Sequence, residues 1–157
     1  MQLVNDDGNL IDAFFLAAVL ALKNTRLPEV SMKNDAVLIN RDPENHNYLC
    51  VHHLPVSTTF FFIPGVEDPI VDANAKEERL ATARLSICMN IYKDVCGMQT
   101  LGQMEVDAMQ LIQCSKDALE IAAKTTELVR QAWELKDKLP MLEMQITKAP
   151  QGANTVN

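Results

Sequence analysis

From Ala13 to Leu22 every position is apolar, with no polar face at any helical spacing. A helix with that pattern has to be covered on all sides. The run falls short of the roughly 20 residues that cross a bilayer, so it predicts a buried helix rather than a membrane span. Ahead of it, Met1 to Val4 reads as the end of a strand, and Asn5-Asp6-Asp7-Gly8-Asn9 is dense in turn formers. Behind it, Pro28 blocks helix continuation and biases Leu27 toward an extended conformation. A helix near the start of a small domain normally keeps one wet face. This one needs a cover that the following residues do not obviously provide, so either the rest of its domain or a partner is expected to supply it.

The pattern then changes from helical to period two. Ala36–Ile39 and Tyr48–Leu54 read as short strands on either side of the polar turn Arg41–Asn47, and Pro55 ends the second. Ser57–Ile63 is β-branched and aromatic, Pro64-Gly65 is a turn, and Pro69–Asp72 is a short buried strand. Between Ala83 and Ile91, Ala83, Leu85, Ile87, Met89 and Ile91 alternate with Arg84, Ser86, Cys88 and Asn90. Such alternation marks a strand with one face on the core. Tyr92-Lys93-Asp94 turns it into a hairpin with Val95–Thr100.

Residues 103–138 carry Ala108, Ile112, Leu119, Ala122, Val129 and Trp133 on one helical stripe, and Leu139-Pro140 is expected to end that helix. Met141–Asn157 has no periodicity and is expected to be disordered. The order of elements predicts an α+β fold, a mostly antiparallel sheet with packed helices.

Composition narrows the function classes. A chain of 157 residues is one domain by length. Its 48% hydrophobic and 22% charged content excludes a wholly disordered chain. Fourteen basic residues stand against 21 acidic ones, a net charge of −7. Free-standing nucleic-acid binders carry a basic face, because their affinity comes from neutralising phosphates. This chain as a whole is repelled by RNA and by anionic membranes. Cys50, Cys88, Cys96 and Cys114 include no C-x₂-C pair. The acidic N-terminus lacks the basic segment of a secretory signal. Free thiols in a reducing compartment, cytosol or nucleus, are the expectation.

Three clusters carry candidate chemistry. Cys50 and His52 share a face of an extended segment, but no third metal ligand is in sight, and the structural reading is preferred. Asp72, Glu77 and Glu78 follow a buried strand, where carboxylates bind Mg²⁺, act as acid and base, or simply form a solvated turn. Asp6-Asp7-Gly8-Asn9 precedes a helix, a position where free N–H groups bind anions. There Asp6, Asp7 and Asp12 repel a phosphate and read instead as caps and dipole partners.

These segments resemble the RNase PH superfamily. The resemblance rests on Asp6–Ala13 through the apolar helix to Ala21–Val30, then on His53–Phe60, Ile70–Glu78, the hairpin and the long helix. It implies two α+β halves per protein and six such units in a ring. It further implies that residues 1–26 are a remnant of the first half, its last strand and helix. Residues 27–138 are then the second half and 139–157 a disordered tail. The uncovered helix is explained if its sheet belongs to that first half.

Phosphorolytic relatives carry a Gly-Thr-Arg-Thr-like stretch that binds the attacking phosphate, and two aspartates two residues apart. Here Asn9, Leu10, Ile11 and Asp12 stand at the first motif, without arginine, and Asp72 and Asn74 at the second. An amide does not serve as a general acid. The resemblance thus implies a non-catalytic subunit of the RNA exosome core ring, with Asp7, Gly8, Asn9, Asp12, Asp72, Asn74, Glu77 and Glu78 as degenerate family positions. It implies no metal or cofactor. Other RNase PH-like ring subunits and cap subunits are the expected partners, with RNA engaged through the assembled complex, no membrane, and residence in nucleus, nucleolus and cytoplasm. Arg26, Lys33 and Arg41 are candidate RNA-facing charges. The alternatives are a phosphorolytic 3′–5′ exoribonuclease and a truncated product that does not assemble.

Overall fold

The computed structural model describes residues 2–40, 42, 45–103 and 107–148, with side chains as far as Leu135. Its centre is a four-stranded antiparallel sheet in the order β6-β5-β7-β8. These strands are β5 (Val56–Phe62), β6 (Ile70–Val71), β7 (Ala83–Met89) and β8 (Val95–Gly102). The alternation read in the sequence is the burial pattern of β7, whose odd-numbered residues from Ala83 to Met89 are buried. β5 is covered on both faces from Thr58 to Phe62, as its β-branched and aromatic residues there require.

One face of this sheet holds the core. Val56, Phe60 and Phe62 of β5 and Ala83, Leu85, Ile87 and Met89 of β7 pack against Cys114, Ala118 and Ala122. Those three belong to α3 (Ala108–Lys148), where small side chains every four residues let the helix lie close to the strands. The core stripe therefore runs through Cys114 and Ala118. Ile112, expected on it, is 50% exposed. Burying Phe60, Leu85 and Ile87 alone is worth about 2 kcal/mol each.

The apolar run forms α1 (Leu10–Asn24). It is packed along β5, and Asp12 makes the joint. The Asp12 carboxylate accepts from Ser57 Oγ (2.7 Å), the Thr59 backbone N–H (2.7 Å) and Thr59 Oγ1 (2.8 Å). Thr59 Oγ1 also meets Ser86 Oγ at 2.9 Å, which extends the network to β7. At the other end of the helix, Lys23 Nζ lies 5.0 Å from the centre of the Trp133 ring on α3. Within the chain the cover is one-sided. Val19 is buried, while Ala13, Ala17 and Ala21, one turn apart on the opposite stripe, are exposed.

Between α1 and the sheet lie two small ladders. β1 (Arg26–Leu27) pairs with β4 (Asn47–Tyr48), and β2 (Val30–Lys33) pairs with β3 (Ala36–Ile39). The β2–β3 turn, Asn34-Asp35, has positive φ at both residues, the two-residue geometry that suits asparagine and aspartate. Every residue of this hairpin is exposed, Met32 at 74% and Val37 at 61%. A short helix, α2 (Ala75–Leu80), connects β6 to β7.

Three expectations are corrected. Residues 2–9 contain no strand, because no neighbouring strand is there to pair with them. The strand expected over Tyr48–Leu54 is reduced to β4, since β1 offers only two residues to pair with. The long helix does not stop at Pro140 and continues to Lys148, through residues expected to be disordered. Proline costs a helix one hydrogen bond, but Leu142, Glu143, Met144 and Gln145 beyond it are strong helix formers. Residues 149–157 of the expected tail lie outside the described residues.

Replacing Pro140 by alanine restores that bond, so helix content by circular dichroism should rise and the last turns should melt later. Asp12→Ala removes three acceptor contacts at once and strands the buried Thr59 N–H, leaving its hydroxyl only Ser86. A loss of about 3 kcal/mol in urea unfolding is expected, with faster amide exchange along α1.

Candidate functional site

Two turns press together beside the outer face of the sheet. In the first, Gly8 has φ +95°, and a β-carbon there would stand 2.5 Å from the Ala73 carbonyl oxygen and 2.8 Å from the Ala75 nitrogen. No other residue type fits that approach. The Asp6 carboxylate shapes the turn by accepting from the Gly8 N–H at 2.9 Å. Asn9 follows in the left-handed region and caps α1 through its backbone, without a side-chain cap bond. The capping role expected of the aspartates is therefore corrected: Asp7 is exposed, and Asp12 turns to β5.

The second turn carries the acidic cluster. Asp72, at φ +57°, accepts from Asn9 Nδ2 at 3.2 Å. Asn74 caps α2: its Oδ1 accepts from the N–H groups of Lys76 (2.9 Å) and Glu77 (3.0 Å), and Glu77 accepts from the Asn74 N–H (2.8 Å). This reciprocal capping box occupies both side chains in building the helix. Glu78 reaches across to the first turn. One of its oxygens accepts from the Asn9 N–H at 3.3 Å and the other from Arg84 Nη1 at 3.0 Å.

The two turns and the outer face of the sheet enclose a cleft of about 450 Å³ lined by Asp6, Gly8, Asn9, Thr59, Glu78 and Arg84, among others. Its chemistry follows from the charges. A helix N-terminus offers N–H groups and the positive end of the dipole to an anion. Here a carboxylate already occupies one of those donors. The same carboxylate neutralises Arg84, a cation close enough to grip a phosphate in its absence. The Glu78–Arg84 pair is about one-third exposed on each side, so it is tied together yet reachable.

The structure thus brings Gly8, Asn9, Asp72, Asn74, Glu77 and Glu78 together and directs Asp12 elsewhere. Arg26 and Lys33 lie on separate ladders. Arg26 stacks on Tyr48, 4.4 Å from the ring centre, and donates to its hydroxyl. Lys33 is exposed at the end of β2, and Arg41 lies outside the described residues. Sequence reasoning missed Arg84, although its place on the polar side of the β7 alternation was legible. What was missing was the register that sets it opposite Phe61 and beside α2. Cys50 Sγ lies 3.4 Å from His52 Nε2. Among the described residues no three His, Cys, Asp or Glu side chains converge on a metal position, and no helix is long and apolar enough to cross a membrane.

Residues 53–121, which span β5 to β8 and the first turns of α3, match the model of the 3′ exoribonuclease family, domain 2. The sheet and its helix have the fold of an RNase PH second domain. Among curated proteins it is similar to exosome complex component RRP45 of Homo sapiens, 36% identical over 143 residues, covering 88% of this chain and 32% of that protein. It is also similar to exosome complex component rrp45 of Schizosaccharomyces pombe, 32% identical, covering 84% of this chain and 46% of that protein. The chain therefore spans 32% to 46% of the length of these relatives. Among solved structures it matches a chain of an Archaeoglobus fulgidus exosome with RNA bound to the active site, with a TM-score of 0.65 and 27% identity, over 80% of this chain and 45% of that one. The motifs suggested ribosomal RNA-processing protein 43. The relatives found carry the name RRP45 instead, and that expectation is corrected.

Gly8→Ala should separate the two turns. Amide exchange at residues 6–9 and 72–75 is expected to accelerate together, with about 2 kcal/mol lost in stability, because the strained approach cannot absorb a methyl group.

Proposed function

We propose that the chain is a non-catalytic structural subunit of an RNA exosome core ring and contributes to 3′–5′ RNA processing and decay, including ribosomal RNA maturation and messenger RNA turnover. The observation that carries this reading is Glu78. Its carboxylate sits on Arg84 and on the Asn9 N–H, at the helix N-terminus where the resemblance places the phosphate of phosphorolytic relatives. Asn74 supports it further, since its side chain is spent on capping α2 and has no acidic proton to give. The similarity to proteins named exosome components supports the assembly part of the reading.

The exposed surface fits a subunit better than an isolated enzyme. The β2–β3 hairpin has exposed apolar side chains at Val30, Met32 and Val37–Ile39, and a lone two-stranded hairpin is marginal in water. Apolar exposure of that extent marks an interaction surface. The proposed partners are other RNase PH-like ring subunits and the cap subunits, with RNA guided through the assembled ring in nucleus and cytoplasm. Arg26 and Lys33 are proposed to face that RNA.

The test combines inorganic phosphate, single-stranded RNA and the purified chain. No nucleoside diphosphate should appear above an Asp72→Ala control; release above it overturns the non-catalytic reading. Affinity purification of the tagged chain should recover ring and cap subunits, whereas recovery of the chain alone contradicts the assembly reading. Glu78→Gln should free Arg84 and give inorganic phosphate a weak affinity that the unaltered chain lacks, still without diphosphate release.

A further inference from the structure

A second chemical feature lies at the other end of the β7–β8 hairpin. The ladder pairs Cys88 with Gly97 and Met89 with Val95, so Cys96 is an extra residue on β8. This is a β-bulge, where two residues oppose one and the alternation of side chains is locally broken. Opposite Cys88 stands a glycine. A β-carbon at Gly97 would lie 3.9 Å from the Cys88 β-carbon, so the space over Gly97 on that face is open. The bulge sets Cys96 next to Gly97, diagonally across the ladder from Cys88, and Cys96 is near enough to help push the Cys88 thiol up. Neighbouring strands run about 4.8 Å apart, within the range that a disulfide spans between α-carbons.

The two sulfurs differ in character. Cys96 is exposed, and its Sγ also lies 3.8 Å from the Asp94 carbonyl oxygen. Cys88 is half-buried on the face toward Asp12, and its thiol is pushed up to about 11, by burial first and then by Cys96. Cys114 is buried in the core, and Cys50 meets His52 instead of a second thiol.

We propose that Cys88 and Cys96 form a dithiol site that reacts with low-molecular-weight disulfides of the glutathione type and closes as a cross-strand disulfide. The Cys96 thiolate attacks one sulfur of the small disulfide, forms a mixed disulfide and expels one small thiolate. The Cys88 thiolate then attacks Cys96 Sγ, forming the protein disulfide and expelling the second small thiolate. Two protein thiols are oxidised and one small disulfide is reduced to two thiols. The two protons released by the protein thiols pass to the two leaving thiolates. Closure fastens the turn Asn90–Asp94, which is already ordered by the buried Asn90 side chain accepting from the Tyr92 and Asp94 N–H groups at 3.0 Å each. It also fixes the otherwise exposed strand β8 to the core strand β7.

The experiment incubates the full chain with oxidised glutathione, quenches with acid and alkylating agent, and maps peptides without reduction. Trypsin separates residues 85–93, which hold Cys88, from 94–116, which hold Cys96 and Cys114. The expected product joins these two peptides, with fragment ions placing the bond at Cys96, and it persists in Cys114→Ser. Because the attacking Cys88 thiol is mostly protonated near neutrality, closure from the mixed disulfide should speed up about tenfold between pH 7 and 8. In Cys96→Ser, whose altered side chain is exposed, the fold by circular dichroism should be kept and Cys88 should stay unmodified. Cys88 and Cys96 both remaining free, or each holding its own glutathione, while Cys50 is modified would overturn the proposal. A linkage that survives in Cys96→Ser would also overturn it.

Discussion

The contact that the site depends on is the approach of Gly8 to the backbone of residues 73–75. Only a residue without a β-carbon lets the loop before α1 lie on the loop before α2. That approach brings the Asn9 N–H within reach of Glu78 and the Asn9 amide within reach of Asp72. Asp12 holds the same helix to β5, and through Thr59 and Ser86 to β7. The two contacts act on opposite sides of the first turn of α1 and fix its position relative to the sheet. A helix with almost no polar surface is thereby held by one carboxylate in a defined register, which hydrophobic burial alone, being non-directional, does not set.

The site so formed has the parts of an anion-binding cleft, with its own side chains satisfying them. A helix N-terminus and an arginine both face Glu78. Breaking the Glu78–Arg84 pair for a phosphate exchanges one anion for another and leaves a carboxylate beside the newcomer. In an acidic chain of net charge −7, no surrounding positive field repays that exchange. The cleft joins α1, the turn after β6, α2 and β7 into one unit.

Much of the sheet was legible in the sequence. The alternation from Ala83 to Met89 marked its central strand, and the aromatic β-branched run marked β5. The motifs at Asp6–Asn9 and Asp72–Glu78 pointed to the right two turns. What sequence alone left unread depends on contacts between distant residues. Asp12 looked like a cap because it lies in the first turn of a helix; its true partners are 45 and 47 residues away. Arg84 looked like an ordinary outward-facing residue until the register set it beside Glu78. The β2 strand carried a readable signal, Asn34-Asp35 between two four-residue strands, but its exposed valine and methionine gave no alternation. Pro140 failed as a stop signal because the residues beyond it favour helix strongly enough to absorb the lost bond.

The central claim is that Glu78 already fills the anion position at the start of α1. The most direct measurement is a titration of the isotopically labelled chain with inorganic phosphate, followed through the amide signals of Gly8 to Ile11 and the guanidinium signal of Arg84. The account requires these signals to stay in place at millimolar phosphate, as the carboxylate holds its partners. A saturable shift centred on the Asn9 amide and Arg84 would mean that phosphate displaces Glu78, and would contradict it.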